Sequence, residues 1–352
     1  MQIQEAANVI ESQNFNLSRL EENRRNGNLG AVTADIFNSA IAASAIAALF
    51  DLGLFDELQE SESISVQEFC EERGLHQPSI LTLLYSLECF DIVALNPAKD
   101  FVRPGKAFAE TCRDKGYFLW LVRGYGYLWQ NLSDLAKNGK GSFDSVGRDG
   151  SYIAKAGRDY GAHFVDEYFN DMLYQMPFQV AADLGCGSAM RLINLAKQNP
   201  KFRGIGIDIN EGAVKLAQAA IATAGLQDRL TVVRADASRL EARPEFAEVE
   251  VLFCFFMGHD LWPRSNCLKA LRQIRSVFPR LKRFLLSDTY RSDLPASRHV
   301  PIFTLGFEVT HAVMGQYIPS AAEWMDLFVE AGWNCVERCE IGIPFSSIFD
   351  LR

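Results

Sequence analysis

Apolar and polar positions follow two different rhythms along the 352-residue chain. From residue 1 to about 155, apolar residues recur at helical spacing, as in AIAASAIAALF at 40–50. From residue 156 onward, short apolar and β-branched runs alternate with helical stretches. Such alternation predicts a mostly parallel, doubly wound sheet covered by helices on both faces. We therefore expect a helical domain over 1–155 and an α/β domain over 156–352.

Seven runs in the second half have the composition of strands. Five are separated by helical stretches and read QVAADLG, RGIGIDI, LTVVRAD, VEVLFCFF and RFLLSDT. Two more lie at the C-terminus and read NCVERCEIGI and SSIFDLR. The first five predict the parallel part of the sheet, and the last two predict a C-terminal hairpin.

The first half contains a pattern typical of a winged helix. Ser65 with Glu68 three residues on predicts a helix start, and Gly74 predicts its end. A second helix over about 78–90 precedes two short strands, DIVAL and FVRPG. The second helix carries no Arg or Lys, whereas phosphate contacts require cations. A dimerisation or lid module therefore fits better than a DNA-binding transcription regulator, which stays as the alternative outside enzymes.

Composition narrows the class of protein further. The formal net charge is −9, which argues against a broad nucleic-acid or anionic-membrane footprint. The eight cysteines form no CxxC pair, as expected for free thiols in a reducing cytosol. The N-terminus lacks the pattern of a signal peptide, and the apolar run at 40–50 is too short to span a bilayer. We expect a cytoplasmic protein that binds neither nucleic acid nor membrane.

Glycines and acids follow the predicted strands in a pattern that suits nucleotide binding. Gly185 and Gly187 follow the first strand in DLGCG, where they permit a sharp turn and close backbone approach to a ligand. Asp183 precedes them, and Asp208 ends the second strand, where it could accept hydrogen bonds from ribose hydroxyls. The third strand ends at Asp236–Ala237, within reach of an adenine.

These features resemble the class I S-adenosylmethionine-dependent methyltransferases. The alternative, a nicotinamide-binding sheet, would require a third glycine at position 190, where the chain has Met190. The resemblance implies a seven-stranded sheet in which Asp183, Gly185 and Gly187 hold the methionine moiety of S-adenosylmethionine. It also implies that Asp208 holds the ribose and that the Asp236–Ala237 pair faces the adenine.

Together with the helical first half, the chain resembles small-molecule O-methyltransferases with a winged-helix dimerisation domain. That resemblance implies a homodimer whose interface includes the first ~30 residues or the helix at 40–50. It also implies that the partner subunit contributes to the pocket for the methyl acceptor.

The segment HDLWPRSNCLKAL, which begins at His259, is similar to the segment that follows strand four in O-methyltransferases. There the histidine is a general base that takes the proton of a phenolic hydroxyl, a role that imidazole can fill. Asp260 matches the same segment. The alternative is a structural histidine that caps the next helix.

A second histidine, His311, follows 52 residues after His259. With Glu308 at i−3 in TLGFEVTHAVMGQY, it would share one helix face. Two histidines and a nearby carboxylate are a credible divalent-metal set. The pair resembles that of metal-dependent α-keto acid C-methyltransferases of the phenylpyruvate type. That resemblance implies that His259 and His311 hold iron or a similar divalent ion.

The expected activity is methyl transfer from S-adenosylmethionine to a small molecule of secondary metabolism. Metal-assisted methylation at the β-carbon of an α-keto acid is the leading hypothesis, with Arg123 pairing with the substrate carboxylate. His259, Asp260 or a metal-bound water could take the proton. O-methylation with His259 as the base is the first alternative, and C-methylation of another nucleophile such as a prenyl diphosphate is the second.

Overall fold

The structure is a computed structural model that describes residues 29–138, 147–295, 297 and 299–352. Its chain divides into two compact units with the boundary between Cys112 and Arg113. The sequence predicts a domain boundary at 155/156, which stays a prediction. The intervening helices pack with the second unit, where the Tyr117 ring stacks on Phe303 at 5.1 Å between ring centroids. Helical spacing alone does not show against which neighbour an apolar face packs.

The first unit is helical and also contains a small sheet. Its helices are α1 (Leu29–Asp51), α2 (Leu54–Glu60), α3 (Val66–Arg73), α4 (Gln77–Glu88) and α5 (Phe108–Arg113), the last of which crosses the boundary. Its strands are β1 (Ile64–Ser65), β2 (Val93–Leu95) and β3 (Phe101–Pro104). They pair antiparallel in the order β1-β3-β2. The predicted helix starts and both predicted strands are therefore present, while the winged-helix assignment stays a prediction.

Helix α3 begins and ends where the sequence predicts. The hydroxyl of Ser65 accepts a hydrogen bond from the Glu68 amide at 3.3 Å, which satisfies an otherwise unpaired donor. Gly74 follows the helix with a φ of 62°, the left-handed conformation that glycine adopts without strain.

Helix α1 is apolar along its length, but its two halves differ in burial. Ile46, Leu49 and Phe50 in the second half are buried. Ile36 and Phe37 in the first half expose 68% and 67% of their surface. By length and composition, residues 32–51 could cross a membrane, although a core helix of a soluble protein passes the same test. The predicted dimer contacts before residue 29 lie outside the described residues.

The second unit contains the main sheet and its helices. The helices before the sheet are α6 (Lys115–Phe118), a π-helical segment (Leu119–Gly124), α7 (Gly126–Gln130), α8 (Leu132–Asn138), α9 (Gly150–Phe164) and α10 (Asp166–Leu173). The later helices are α11 (Met190–Gln198), α12 (Glu211–Thr223), α13 (Arg264–Val277), α14 (Thr304–Val313) and α15 (Ala321–Glu330). Short 3₁₀ turns cover Ala237–Arg239, Pro244–Phe246 and Gly258–Leu261.

Seven strands form the main sheet in the order β6-β5-β4-β7-β8-β10-β9. They are β4 (Val180–Leu184), β5 (Arg203–Asp208), β6 (Leu230–Arg234), β7 (Val251–Phe255), β8 (Arg283–Thr289), β9 (Cys335–Glu340) and β10 (Ser346–Leu351). The first five in chain order pair in parallel, whereas β10 pairs antiparallel with both β8 and β9. The predicted parallel sheet and C-terminal hairpin are confirmed.

Strand order reverses between β4 and β7, which lie side by side although β5 and β6 separate them in the chain. Open α/β sheets bind ligands in the crevice at the carboxyl ends of strands at such a point. The carboxyl ends of β4, β5 and β7 carry the glycine loop, Asp208 and the turn with His259, respectively. The fold therefore brings the glycine loop, Asp208 and His259 together at the carboxyl ends of the central strands.

Candidate active site

The glycine loop after β4 is held against the end of β5. The amides of Gly185 and Cys186 both donate to the Ile207 carbonyl, at 2.8 and 3.1 Å. Gly185 and Gly187 have φ values of 72° and 53°, so both use the left-handed conformation. Ala189 adopts the same conformation with a φ of 57°, although alanine pays a steric penalty there. The loop is thus bent sharply directly before α11.

Asp208 and Asp183 flank this loop with different hydrogen bonding. The Asp208 carboxylate accepts from the Gly187 amide at 3.0 Å and from the Asn210 amide at 2.9 Å. A carboxylate has about four acceptor positions, so it retains capacity for ribose hydroxyls. Asp183 is buried on β4, and burial raises its pKa to about 6, while Arg191 opposes this rise and Asp208 adds to it. A cationic ligand group next to Asp183 would stabilise its charged form.

Asp236 stabilises the 3₁₀ turn that follows β6. Its carboxylate begins the 3₁₀ turn by accepting from the Ser238 amide and hydroxyl at 2.9 and 2.6 Å. Its other oxygen accepts from the Arg239 guanidinium at 3.1 and 2.9 Å. Although burial alone would raise the pKa of Asp236, these hydrogen bonds lower it. Ala237 is half-buried against the core, and the adenine contact of this pair stays a prediction.

His259 is buried in the 3₁₀ turn after β7 and is held by Asp288 at the end of β8. Its Nδ1 lies 2.7 Å from Asp288 Oδ1, and its backbone amide donates to Asp288 Oδ2 at 2.6 Å. An ionised carboxylate only accepts hydrogen bonds, so Nδ1 carries a proton and the neutral ring keeps its lone pair on Nε2. Helix α13 has Pro263 at its N-cap, so His259 does not cap it.

The electrostatic balance at His259 has opposing parts. Burial lowers the pKa of the imidazole, and the charge of Arg148 lowers it further. The carboxylate of Asp288 and, more weakly, that of Asp260 outweigh these effects and raise the pKa above its ordinary value.

His311 on α14 meets His259 across the site. Their ring centroids are 4.9 Å apart, with the planes almost perpendicular at 87°. His311 Nδ1 lies 2.6 Å from the Phe307 carbonyl, which can only accept, so Nδ1 is protonated and Nε2 keeps the lone pair. Burial and the neighbouring His259 lower the pKa of His311 to about 3. His311 is therefore neutral at physiological pH, and the predicted convergence of the two histidines is observed.

Three further polar residues named by the sequence make other contacts, and their functions stay predictions. Glu308 turns its carboxylate to the Ser292 amide, at 2.6 Å, rather than to His311. Asp260 is exposed and accepts a hydrogen bond from Gln316. Arg123 is also exposed, with its guanidinium 6.0 Å from the centroid of the Tyr152 ring.

Arg148, which the sequence prediction missed, is the cation whose charge acts on both histidines. It donates to the Tyr125 hydroxyl at 3.3 Å, and the Tyr125 ring lies 6.5 Å from that of His311. Arg148 stands in a polar stretch, RDGS, whose composition contains no signal for a pocket.

Aromatic rings enclose the histidine pair. Phe307 contacts both imidazoles, with ring-centroid distances of 5.4 Å to His259 and 4.1 Å to His311. Phe303 packs on Phe307 and Trp120 at 5.2 and 5.1 Å. Phe303 and Phe256 have positive φ values of 75° and 51°, a strained backbone for bulky residues that often occurs at functional sites. The two histidines are consequently buried, with exposed fractions of 4% for His259 and 3% for His311.

The two imidazoles have the chemistry of a divalent-metal donor pair. Both keep an Nε2 lone pair, and each Nδ1 is bound by a carboxylate or a carbonyl, as in the outer shell of metal-ligating histidines. Imidazole nitrogens suit iron, zinc, copper and nickel. Within the described ranges, no group of three or more His, Cys, Asp or Glu side chains is placed to hold a metal. The donor chemistry of the pair is therefore that of imidazole metal ligands, and a bound metal stays a prediction.

Comparisons with known proteins find similarity to methyltransferases. A family model described as a methyltransferase domain matches residues 181–279. The methyltransferase ungE' of Aspergillus campestris (strain IBT 28561) is 37% identical over 330 residues, which cover 91% of this chain and 96% of that protein. The indolepyruvate C-methyltransferase of Streptomyces griseus is 28% identical over 319 residues, covering 90% and 93%. The structure of human N-acetylserotonin methyltransferase with S-adenosylmethionine matches with a TM-score of 0.64 and 16% identity, covering 97% and 99%.

Proposed function

The chain belongs to the S-adenosylmethionine-dependent methyltransferases, and from this premise we propose that it methylates the β-carbon of a small α-keto acid. S-adenosylmethionine is the methyl donor, and the acceptor is a small molecule. The observation that carries the proposal is the second buried histidine, His311, 4.9 Å from His259. A single histidine suffices as a general base, whereas a pair of imidazoles suits a metal.

The resemblance to a C-methyltransferase supports the same acceptor class. Indolepyruvate, the acceptor in the name of the Streptomyces griseus relative, is an α-keto acid. A divalent ion bound by His259 and His311 would supply a Lewis acid that polarises the keto group and acidifies the adjacent C–H. Asp288 and the Phe307 carbonyl hold the two imidazoles in the tautomer that such binding requires.

Other residues of the site suit an anionic, partly aromatic acceptor. The charge of Arg148 acts on the histidine pair and favours a nearby carboxylate, the function that the sequence assigned to Arg123. Phe303, Phe307 and Trp120 pack around the pair and keep water from the reacting carbon. Asp260, next to His259 on the same turn, is our candidate for the proton acceptor.

O-methylation of a phenol is the second candidate, because the His259–Asp288 pair by itself suits a general base. His259 is buried and donates two hydrogen bonds to Asp288, from its backbone amide and from Nδ1, which leaves Nε2 as the nitrogen that can take a proton. In that mechanism His311 would only line the pocket. A prenyl diphosphate acceptor has less support, because a diphosphate requires several cations. Within the described residues, Arg148 is the one cation whose charge acts on the histidine pair.

Metal content and acceptor preference distinguish the two candidates. We would measure bound transition metals and methylation of phenylpyruvate, indolepyruvate and simple phenols, with and without a chelator. The variants are His259→Ala and His311→Ala, with the exposed His163→Ala as the control. C-methylation predicts that both pocket variants lose metal and activity. Chelator-resistant activity on phenols that survives His311→Ala would instead establish O-methylation.

We also propose a cytoplasmic homodimer. The exposed apolar residues of α1, Ile36 and Phe37, provide a surface that a second copy would cover. Ile36→Asp combined with Phe37→Asp should convert a dimer to a monomer in light scattering coupled to size exclusion. A monomeric wild-type protein would contradict this proposal.

A further inference from the structure

Arg191 is a half-buried cation at the cofactor edge of the sheet that the proposed reaction does not use. It is the second residue of α11, the helix that begins directly after the glycine loop. Its side chain is 21% exposed. The guanidinium carbon lies 3.6 Å from the centroid of the Phe255 ring and 5.3 Å from that of Phe169. Arg191 therefore stacks on the carboxyl end of β7, beside the turn that carries His259.

Among the described residues, few of the N–H donors of Arg191 have a hydrogen-bond partner. A guanidinium has five N–H donors. One of them reaches Asp166 Oδ1 at 3.4 Å, close to the limit for a hydrogen bond. Its Nε is buried and has no partner in the described part of the chain. Leaving a buried charged donor unpaired is unfavourable, so the geometry suits an additional anion.

The topology favours a position near this guanidinium for the amino-acid end of the cofactor. The sulfonium of S-adenosylmethionine carries an adenosyl group, a methyl group and an aminocarboxypropyl chain. If Asp208 binds the ribose, the adenosyl group would extend towards β5, and the methyl group would face the histidines after β7. Strand β4 lies between these two strands. The aminocarboxypropyl chain would then lie at the end of β4, next to helices α10 and α11.

We infer that Arg191 binds the α-carboxylate of S-adenosylmethionine. Asp183, which interacts electrostatically with Arg191, carries the opposite charge that the α-ammonium group requires. Cation stacking on Phe255 and Phe169 holds the guanidinium plane while leaving its edge donors available. This inference does not depend on the chemical nature of the methyl acceptor.

A comparison of two ligands isolates the carboxylate contact. The ligands are S-adenosylhomocysteine and its decarboxylated analogue, and the readout is the dissociation constant from calorimetry. Wild type should bind the analogue about 10–100-fold more weakly, because a charge-assisted hydrogen bond contributes about 1.5–3 kcal/mol. In Arg191→Met the two ligands should bind about equally, and the change should appear as a weaker affinity for S-adenosylhomocysteine.

Two further variants make the result decisive. Lys197→Met removes an exposed cation from the same helix and should preserve the wild-type difference between ligands. Arg191→Lys keeps the charge but loses the fork geometry, so it should retain part of the difference. Arg191→Lys also provides the test of the inference if Arg191→Met fails to fold. A wild type that binds both ligands equally would overturn the inference. So would Arg191 variants that weaken both ligands alike or keep the full wild-type difference.

Discussion

Asp288 holds His259 at two points, accepting from its backbone amide at 2.6 Å and from its Nδ1 at 2.7 Å. The same carboxylate also accepts from the Thr289 amide at 2.8 Å. These contacts join the turn after β7 to the end of β8 and fix the ring tautomer. Whether His259 acts as a ligand or as a base, its Nε2 depends on Asp288.

Replacing Asp288 should therefore reduce the rate of methyl transfer without affecting the binding of the methyl donor. Asp288→Asn removes the anionic partner of Nδ1, and loss of such a partner typically reduces metal affinity or activity about 10–100-fold. The measurement is kcat alongside the dissociation constant for S-adenosylhomocysteine, which should stay within about twofold. Asp326→Asn, at an exposed position on α15, is the control. Full activity in Asp288→Asn would contradict the proposed function of the carboxylate.

Gly258 must lack a side chain for the same contact to form. A Cβ at position 258 would lie 2.8 Å from Asp288 Oδ2, closer than real Cβ atoms approach. Gly258→Ala should shift the carboxylate, lower activity and destabilise the protein by about 1–3 kcal/mol. Gly161→Ala is the matched control, because nothing lies within 4 Å of its added Cβ. In a helix this control should stabilise by about 0.5–1 kcal/mol. Equal activity in both variants would argue against the steric explanation.

Asp183 should make the stability of the protein depend on pH between about 4 and 6. Its pKa is raised from 3.8 to about 6, so the folded state binds its proton more tightly than the unfolded state. This group's contribution to stability is largest below pH ~4 and falls as pH rises through about 6. At 1.36 kcal/mol per pKa unit, the shift corresponds to at most about 3 kcal/mol.

The neutral variant Asp183→Asn should avoid that loss. Urea denaturation should show it to be more stable than wild type at pH 7.5, with the gain shrinking at pH 4.5. Its affinity for S-adenosylhomocysteine should fall, because the α-ammonium loses its counter-charge. A gain that is the same at both pH values would exclude the titration of Asp183 as the cause.

Ala189 should carry removable backbone strain. Its φ of 57° is in the left-handed region, where glycine has no Cβ penalty. Ala189→Gly should raise the free energy of unfolding by about 0.5–1 kcal/mol, measured by chemical denaturation. Lys99→Gly relieves a similar φ of 58° in the turn between β2 and β3 and is the control for the backbone effect. A destabilised Ala189→Gly with a stabilised Lys99→Gly would show that the Ala189 side chain contributes packing that outweighs its strain.

Much of the fold follows from local sequence patterns. The five parallel strands, the C-terminal hairpin and the start of α3 at Ser65 all lie where the pattern predicts them. These features depend on contacts close in sequence and on the spacing of apolar residues. The compact units divide between Cys112 and Arg113, ahead of the predicted domain boundary, because the helices in between pack on partners that are distant in sequence.

The sequence by itself determined the strand ends, the glycine loop and the two histidines to consider, because strands and glycine loops carry strong local signals. The tertiary structure alone decided that His259 and His311 meet, that Asp288 orients His259, and that Glu308 turns away to Ser292. It also placed Arg148 and Arg191, two residues with no motif around them, beside the histidines and the cofactor loop. Such relationships join residues far apart in the chain, so only the packing of strands and helices determines them.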